Sequence, residues 1–232
     1  MSLSTEIYLA SAILPAVFLL WLIYKQDRKE REPVSLLMKL VGGGILAALL
    51  AIVLETVFGG VLNQMSFRTE FSMVVANAVM IGLSEEFAKL IFLKWFSWNS
   101  PNFNYRFDGI VYAVAVSLGF AAFENVFYVF NYGLQVAVSR ALLAVPAHTA
   151  FAVYMGTFYG RAKYLDVYGR HKACKINLIA GFLIAAALHA FYDSCAMLGS
   201  DTAMIVFAVF VIAMYIIVIR KVKTESRTDH PF

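Results

Sequence analysis

The chain is a succession of long apolar runs separated by short polar connections. The runs span Ile7–Tyr24, Leu40–Leu62, Phe71–Phe96, Asp108–Asn131, Arg140–Gly160, Ile176–Met197 and Thr202–Ile219. Each is close to the ~20 residues that one helical crossing of a bilayer needs. None alternates with the period of a barrel strand, and an isolated stretch in lipid must satisfy its backbone hydrogen bonds internally, so helix is the expected state throughout. The prediction is an all-α polytopic bundle of about seven spans, one integral-membrane domain over residues 1–232. The first run lacks a basic leader and is followed at once by Lys25-Gln26-Asp27-Arg28-Lys29, which reads as a stop-transfer sequence rather than a cleaved signal. No internal repeat, low-complexity tract or inverted pair of halves is evident, which disfavours the commonest secondary-transporter architectures.

Composition sharpens this reading. The 232 residues are 61% hydrophobic and 15% charged, with a mean hydropathy of +0.74, far from the averages of soluble domains. The net charge of +4 does not point to nucleic acid, because the basic residues partition by connection. Sixteen fall in one set of connections and tails, from Lys25 to Lys39, at Lys94 and Arg106, from Arg161 to Lys175, and from Arg220 to Arg227, against Arg68 and Arg140 in the other. Positive loops are retained in the cytoplasm, so the N-terminus is expected outside and the C-terminus inside. Cys174 and Cys195 then lie on opposite sides of the membrane, too far apart for a disulfide.

Ionisable residues inside the runs carry the chemistry: Glu55, Glu85, Glu86, Lys89, Glu124, His148, His189 and Asp193. A charge at the bilayer centre costs ~2.5–3.5 kcal/mol even on translocon scales, so these groups should face one another or water. In Ser84-Glu85-Glu86-Phe87-Ala88-Lys89, the lysine sits four and three residues after the two glutamates and can reach either carboxylate on one helical face. It offsets one negative charge, leaving a carboxylate for base or ligand duty, the alternative being a buried ion pair that locks helix packing. His189 and Asp193 are one turn apart, so the carboxylate can orient the imidazole or share a metal with it. His148 follows Pro146, whose missing N–H frees a carbonyl and kinks the helix. Glu124 and Asn125 add a carboxylate and an amide, the latter suited either to an oxyanion or to helix–helix hydrogen bonding. Glu55 has no partner at helical spacing and reads as a packing or pore-lining group.

Depth is uneven. His148, His189 and Glu124 fall ~10–12 Å and Asp193 ~6 Å from the outer ends of their runs, against ~20 Å for the glutamate pair. A common site requires the third helix to tilt or its lipid boundary to lie inward of Phe71. Such a site would form a water-filled cavity open to the outside. With no nucleophile triad, phosphate loop, HExxH or cysteine cluster, water is the natural nucleophile. Glutamates and histidines can take its proton, stabilise the tetrahedral oxyanion and protonate a leaving amine. Two histidines and a carboxylate (His148, His189 and Glu86) can equally hold a metal, and these ligand types fit zinc.

Taken in order, several segments carry a further signal: Glu32-Pro33, Ser84-Glu85-Glu86-Phe87-Ala88-Lys89, Phe107-Asp108-Gly109-Ile110-Val111-Tyr112, Ser117-Leu118-Gly119-Phe120-Ala121-Ala122-Phe123-Glu124-Asn125, Arg140-Ala141-Leu142-Leu143 with His148, and Leu188-His189-Ala190-Phe191-Tyr192-Asp193. The series resembles the PrsW family of bacterial intramembrane proteases over nearly the whole chain. The resemblance implies a multi-pass protein of the bacterial plasma membrane that makes the site-1 cut in a single-pass anti-sigma factor. It also implies kinship with the CAAX-prenyl-endopeptidase-like membrane proteases, which often carry His where this chain has Glu124. Such enzymes are described both as metalloproteases and as glutamate-dependent proteases. Carried over residue by residue, the resemblance makes Glu85, Glu86, Glu124, His148, His189 and Asp193 the site. Glu85 or Glu86 then activates water, His148 and His189 serve as ligands or proton partners, Asp193 orients His189, and Lys89 and Asn125 support. The rival expectations are a proton- or ion-coupled transporter, a non-catalytic scaffold and a prenyl-protein endopeptidase.

Overall fold

The computed structural model describes residues 3–232. Among these the chain forms α1 (Leu3–Gln26), α2 (Val34–Leu62), α3 (Glu70–Ser97), α4 (Asp108–Tyr132), the short α5 (Leu134–Ser139), a π-helical turn (Arg140–Ala144), α6 (Val145–Val167), α7 (His171–Leu198) and α8 (Asp201–Arg227). Since α5, the π turn and α6 run on as one rod, each of the seven apolar runs corresponds to one long helical rod. Six are long and apolar enough to cross a membrane. The exception is α3, which is 28 residues long but carries Glu85, Glu86, Lys89 and Lys94 in its second half. The fifth run begins earlier than its apolar pattern suggests, at Leu134 rather than Arg140, because Gly133 at φ 83° turns the chain directly out of α4.

Every residue of α4 from Asp108 to Ala121 is buried, and α4 packs against α1, α2, α3 and α6. The outward faces of α1, α2 and α8 expose Leu14, Phe18, Ile52, Val57, Ile205 and Val209, as expected where lipid is the solvent. Helices in lipid lack a hydrophobic drive to associate and gain contact through small residues. Accordingly, Gly44 and Gly119 set α2 directly on α4, where a Cβ on either would overlap the other helix's backbone. A Cβ on Gly109 would lie 2.5 Å from the Gly160 nitrogen, and one on Gly82 2.9 Å from the Ala186 carbonyl oxygen and 3.0 Å from the Ala190 nitrogen. The last approach joins α3 to α7 one turn from Glu86 and His189.

Helix ends are closed locally. The Thr69 hydroxyl accepts from Ser72 N–H at 3.1 Å to start α3, and Ser200 accepts from Ala203 N–H at 3.3 Å to start α8. Pro146 cannot donate to Leu142. The Tyr215 hydroxyl lies within reach of the Leu142 and Leu143 carbonyls, at 3.3 and 2.8 Å, so α8 satisfies what the proline leaves open. The connections carrying the basic residues gather at one end of the bundle: Lys163 donates to the Trp98 carbonyl at 2.8 Å, Arg106 meets His230 at 3.2 Å, and Ser226 donates to the Gln26 carbonyl.

Candidate active site

Four helices bring the ionisable residues of the spans together. Through its 3.6-residue period, α3 turns Glu85, Glu86 and Lys89 to one face. Lys89 Nζ donates to Glu86 Oε1 at 2.7 Å and to Glu85 Oε2 at 3.1 Å, and stands 4.0 Å from the centre of the Phe120 ring. From α6, His148 presents Nδ1 to the same ammonium at 3.2 Å and Nε2 to Glu124 Oε2 of α4 at 3.0 Å. From α7, His189 presents Nδ1 to Glu86 Oε1 at 3.1 Å and Nε2 to Asp193 Oδ2 at 3.4 Å, with its ring stacked on Phe151. Thus all six expected site residues and Lys89 meet in one network despite their uneven depth along the runs. The close approach at Gly82 carries α3 to α7 at the level required.

Asn125 is placed differently. Its Nδ2 donates to the Ala12 carbonyl at 3.3 Å and its Oδ1 accepts from Arg140 Nε, so it ties α4 to α1 and to the π turn. An amide engaged at both ends suits helix packing better than an oxyanion. Arg140 also donates to Glu124 Oε2 at 3.1 Å and lies over the Tyr128 ring at 4.0 Å. Spacing alone did not mark Arg140 as a site group, since its partners lie fifteen and sixteen residues back across a turn; the π turn that swings it inward was the missing signal. Glu55, read from the sequence as a packing or pore-lining group, lines a cavity of about 170 Å³ with Glu85, Glu124, Arg140, His148, His189 and Asp193. That volume holds several water molecules. Sharing Glu55, Glu85, Glu124 and Tyr128, a second cleft of about 290 Å³ continues outward between α2 and α4, past Ala48, Ile52, Phe123 and Phe127. Glu86 is fully buried behind Glu85.

The donor set fits a divalent metal on three grounds. One atom each of Glu85, Glu86, His148 and His189 falls within 4.8 Å of the others. Glu86 Oε2 is buried without a partner. Both ring nitrogens of His189 face carboxylates, which requires either two N–H donors or a cation at Nδ1 with Nε2–H donating to Asp193, the usual orientation of a ligating histidine. His148, facing an ammonium at Nδ1 and a carboxylate at Nε2, is satisfied as the neutral Nε2–H tautomer with its Nδ1 lone pair available. Lys89 touches three of the four donors, so a metal bound through the same atoms must displace the ammonium from them.

Comparison with known proteins decides the family. A family model described as PrsW family intramembrane metalloprotease matches residues 32–219. The chain belongs to the PrsW family. It is a peptide hydrolase of the intramembrane metalloprotease class. It is 32% identical to the protease PrsW of Geobacillus kaustophilus over 96% of this chain and 94% of that one. The match to the protease PrsW of Halalkalibacterium halodurans is 31% over 95% and 98%, and that of Bacillus subtilis is 30% identical over 80% of each chain. No solved structure matches the chain.

Proposed function

We propose that the protein cuts a single-pass membrane protein within the bilayer, making the site-1 cut in an anti-sigma factor of the bacterial plasma membrane, with its N-terminus outside and C-terminus in the cytoplasm. The observation that carries this reading is a buried Glu-Glu-His-His set opening on a polar cavity that continues into an apolar cleft between α2 and α4. A transmembrane substrate helix can unwind from lipid along that cleft and offer a peptide bond to water.

Glu85 is the group we assign to water. It lines the cavity, whereas Glu86 is enclosed and held by Lys89 and His189. In this scheme Glu85 accepts a proton from water as the oxygen attacks the scissile carbonyl, then passes it to the departing amine nitrogen. Arg140, a permanent cation on the cavity wall, offsets charge on the carbonyl oxygen. Asp193 orients His189, and Glu124 orients His148. A metal held by Glu86, His148 and His189, for which zinc is our proposal, supplies Lewis acidity at this point when bound.

The test is cleavage of a single-pass anti-sigma factor by the purified protein in lipid vesicles, with metal content measured in parallel. Glu85→Gln should keep its metal and lose ~10²–10⁴-fold in rate. Glu86→Gln should lose both. Equal cleavage by wild type and Glu85→Gln would remove Glu85 from the role of base, and full activity in metal-free wild type would remove the metal.

A further inference from the structure

The connection between α1 and α2 and the start of α4 bring Asp27, Glu32 and Asp108 together, and all three are at least 97% buried, with exposures of 2%, 3% and 0%. One carboxylate oxygen from each lies within 4.8 Å of those of the other two. The protease cluster uses none of them. Asp108 sits sixteen residues before Glu124 on α4, ~24 Å away along the axis. None of the ion pairs among the described residues involves the three acids.

The partners that are present leave atoms open. Asp108 Oδ2 accepts from the backbone N–H groups of Asn104 and Tyr105 at 3.0 and 2.7 Å, and Glu32 Oε2 accepts from the Tyr112 hydroxyl at 2.7 Å. Asp108 Oδ1 and Asp27 Oδ2 are buried and meet no hydrogen-bond donor, and the Glu32 carboxyl lies within hydrogen-bond reach of Asp108, where only a cation or a shared proton can join the two. A buried carboxylate oxygen without a donor loses its hydration for nothing in return, so two in one cluster mark a place where a positive charge is missing. A fourth acid, Asp229 of the C-terminal tail, stands close by, its Oδ1 accepting from Phe107 N–H at 3.0 Å. Burial, reinforced by Asp229, pushes the Asp27 carboxyl up to about 6, and burial pushes Glu32 up to about 7.

We propose that Asp27, Glu32 and Asp108 form a second cation site, for a hard divalent ion such as Ca2+ or Mg2+, separate from the protease cluster. Three carboxylates without imidazole or thiolate are the donors that hard cations take. An ion there ties the α1–α2 connection to the start of α4, the helix on which the bundle is built.

Terbium, a hard-ion probe that tyrosine sensitises, reads this site directly because Tyr112 touches Glu32. The full chain in detergent or lipid, stripped with EDTA, should give saturable terbium emission that Ca2+ or Mg2+ displaces. The emission should survive in Glu86→Gln, where the protease cluster is impaired. The double variant Asp27→Asn with Asp108→Asn should bind terbium at least about tenfold more weakly. Folding of that variant is checked by its Tm in EDTA, expected at or above that of wild type because two repelling charges are gone. Where it does not fold, the Tm of Glu86→Gln with and without added Ca2+ or Mg2+ decides, and a rise is expected. Absence of saturable emission, equal binding by the double variant, or a Tm indifferent to both ions would overturn the site and leave a proton-sharing carboxyl network in its place.

Discussion

Glu85 and Glu86 are adjacent in sequence but divided in environment. Oε1 of Glu86 is clamped between Lys89 at 2.7 Å and His189 at 3.1 Å, while Glu85 is held at 3.1 and 3.8 Å by the same two groups and faces the cavity. Lys89 should therefore matter through both. Lys89→Met leaves the carboxylates repelling one another, and it should abolish cleavage while lowering the Tm, since breaking a buried pair costs about 3–5 kcal/mol. Activity intact in Lys89→Met would show that the ammonium has no part in poising the pair. Asn125 offers the contrasting case. With both ends of its amide committed, Asn125→Ala should cost about 1–3 kcal/mol of stability, and vesicle assays below its melting range should retain most of the rate. A large loss of kcat without loss of Tm would return Asn125 to the chemistry. The spacing of Glu85, Glu86 and Lys89 was legible from the sequence because their pairing is local to one helix. Arg140 and the Asp27–Glu32–Asp108 cluster were not legible, and Glu55 was readable only as a packing or pore-lining group, since their partners lie across a turn or on other helices and spacing says nothing of what crosses between helices.

At the scale of the element, the site depends on how closely α3 approaches α7. Gly82 removes the side chain that would hold the helices apart, and its neighbours across the gap are the backbone of Ala186 and Ala190, which cannot step aside. Gly82→Leu should push α3 outward and open the 3.1 Å contact between Glu86 and His189. We expect loss of cleavage with a destabilisation of about 1–3 kcal/mol or more, the usual range for overpacking. Normal cleavage in that variant would mean that the approach is not what sets the register. The π turn is the second such device: it places Arg140 beside Glu124, and Tyr215 of α8 accommodates the carbonyls next to Pro146. Helix existence was readable from apolar runs alone, whereas this turn was not, because it follows from Gly133 and Pro146 acting together with a tyrosine on another helix.

For the whole molecule, the arrangement of connections and the distribution of charge can be tested against one another. The ends of α1, α3, α6 and α8 meet the start of α4 at a single face through Gln26, Trp98, Lys163, Arg106 and the C-terminal tail, and most of the lysines and arginines lie there. The charge rule assigns that face to the cytoplasm. Labelling with a thiol probe that does not cross membranes tests the assignment, but the native cysteines are unsuitable because Cys174 and Cys195 are both buried. In a background of Cys174→Ser and Cys195→Ser, Gln64→Cys, exposed in the connection between α2 and α3, should label in intact cells. Lys172→Cys, exposed at the start of α7, should label only after the cells are opened. The reverse pattern would invert the protein in the membrane and put the polar cavity nearer the cytoplasmic face, where an extracytoplasmic cut in an anti-sigma factor is out of reach. Orientation and substrate side thus stand or fall together, independently of whether Glu85 is the base.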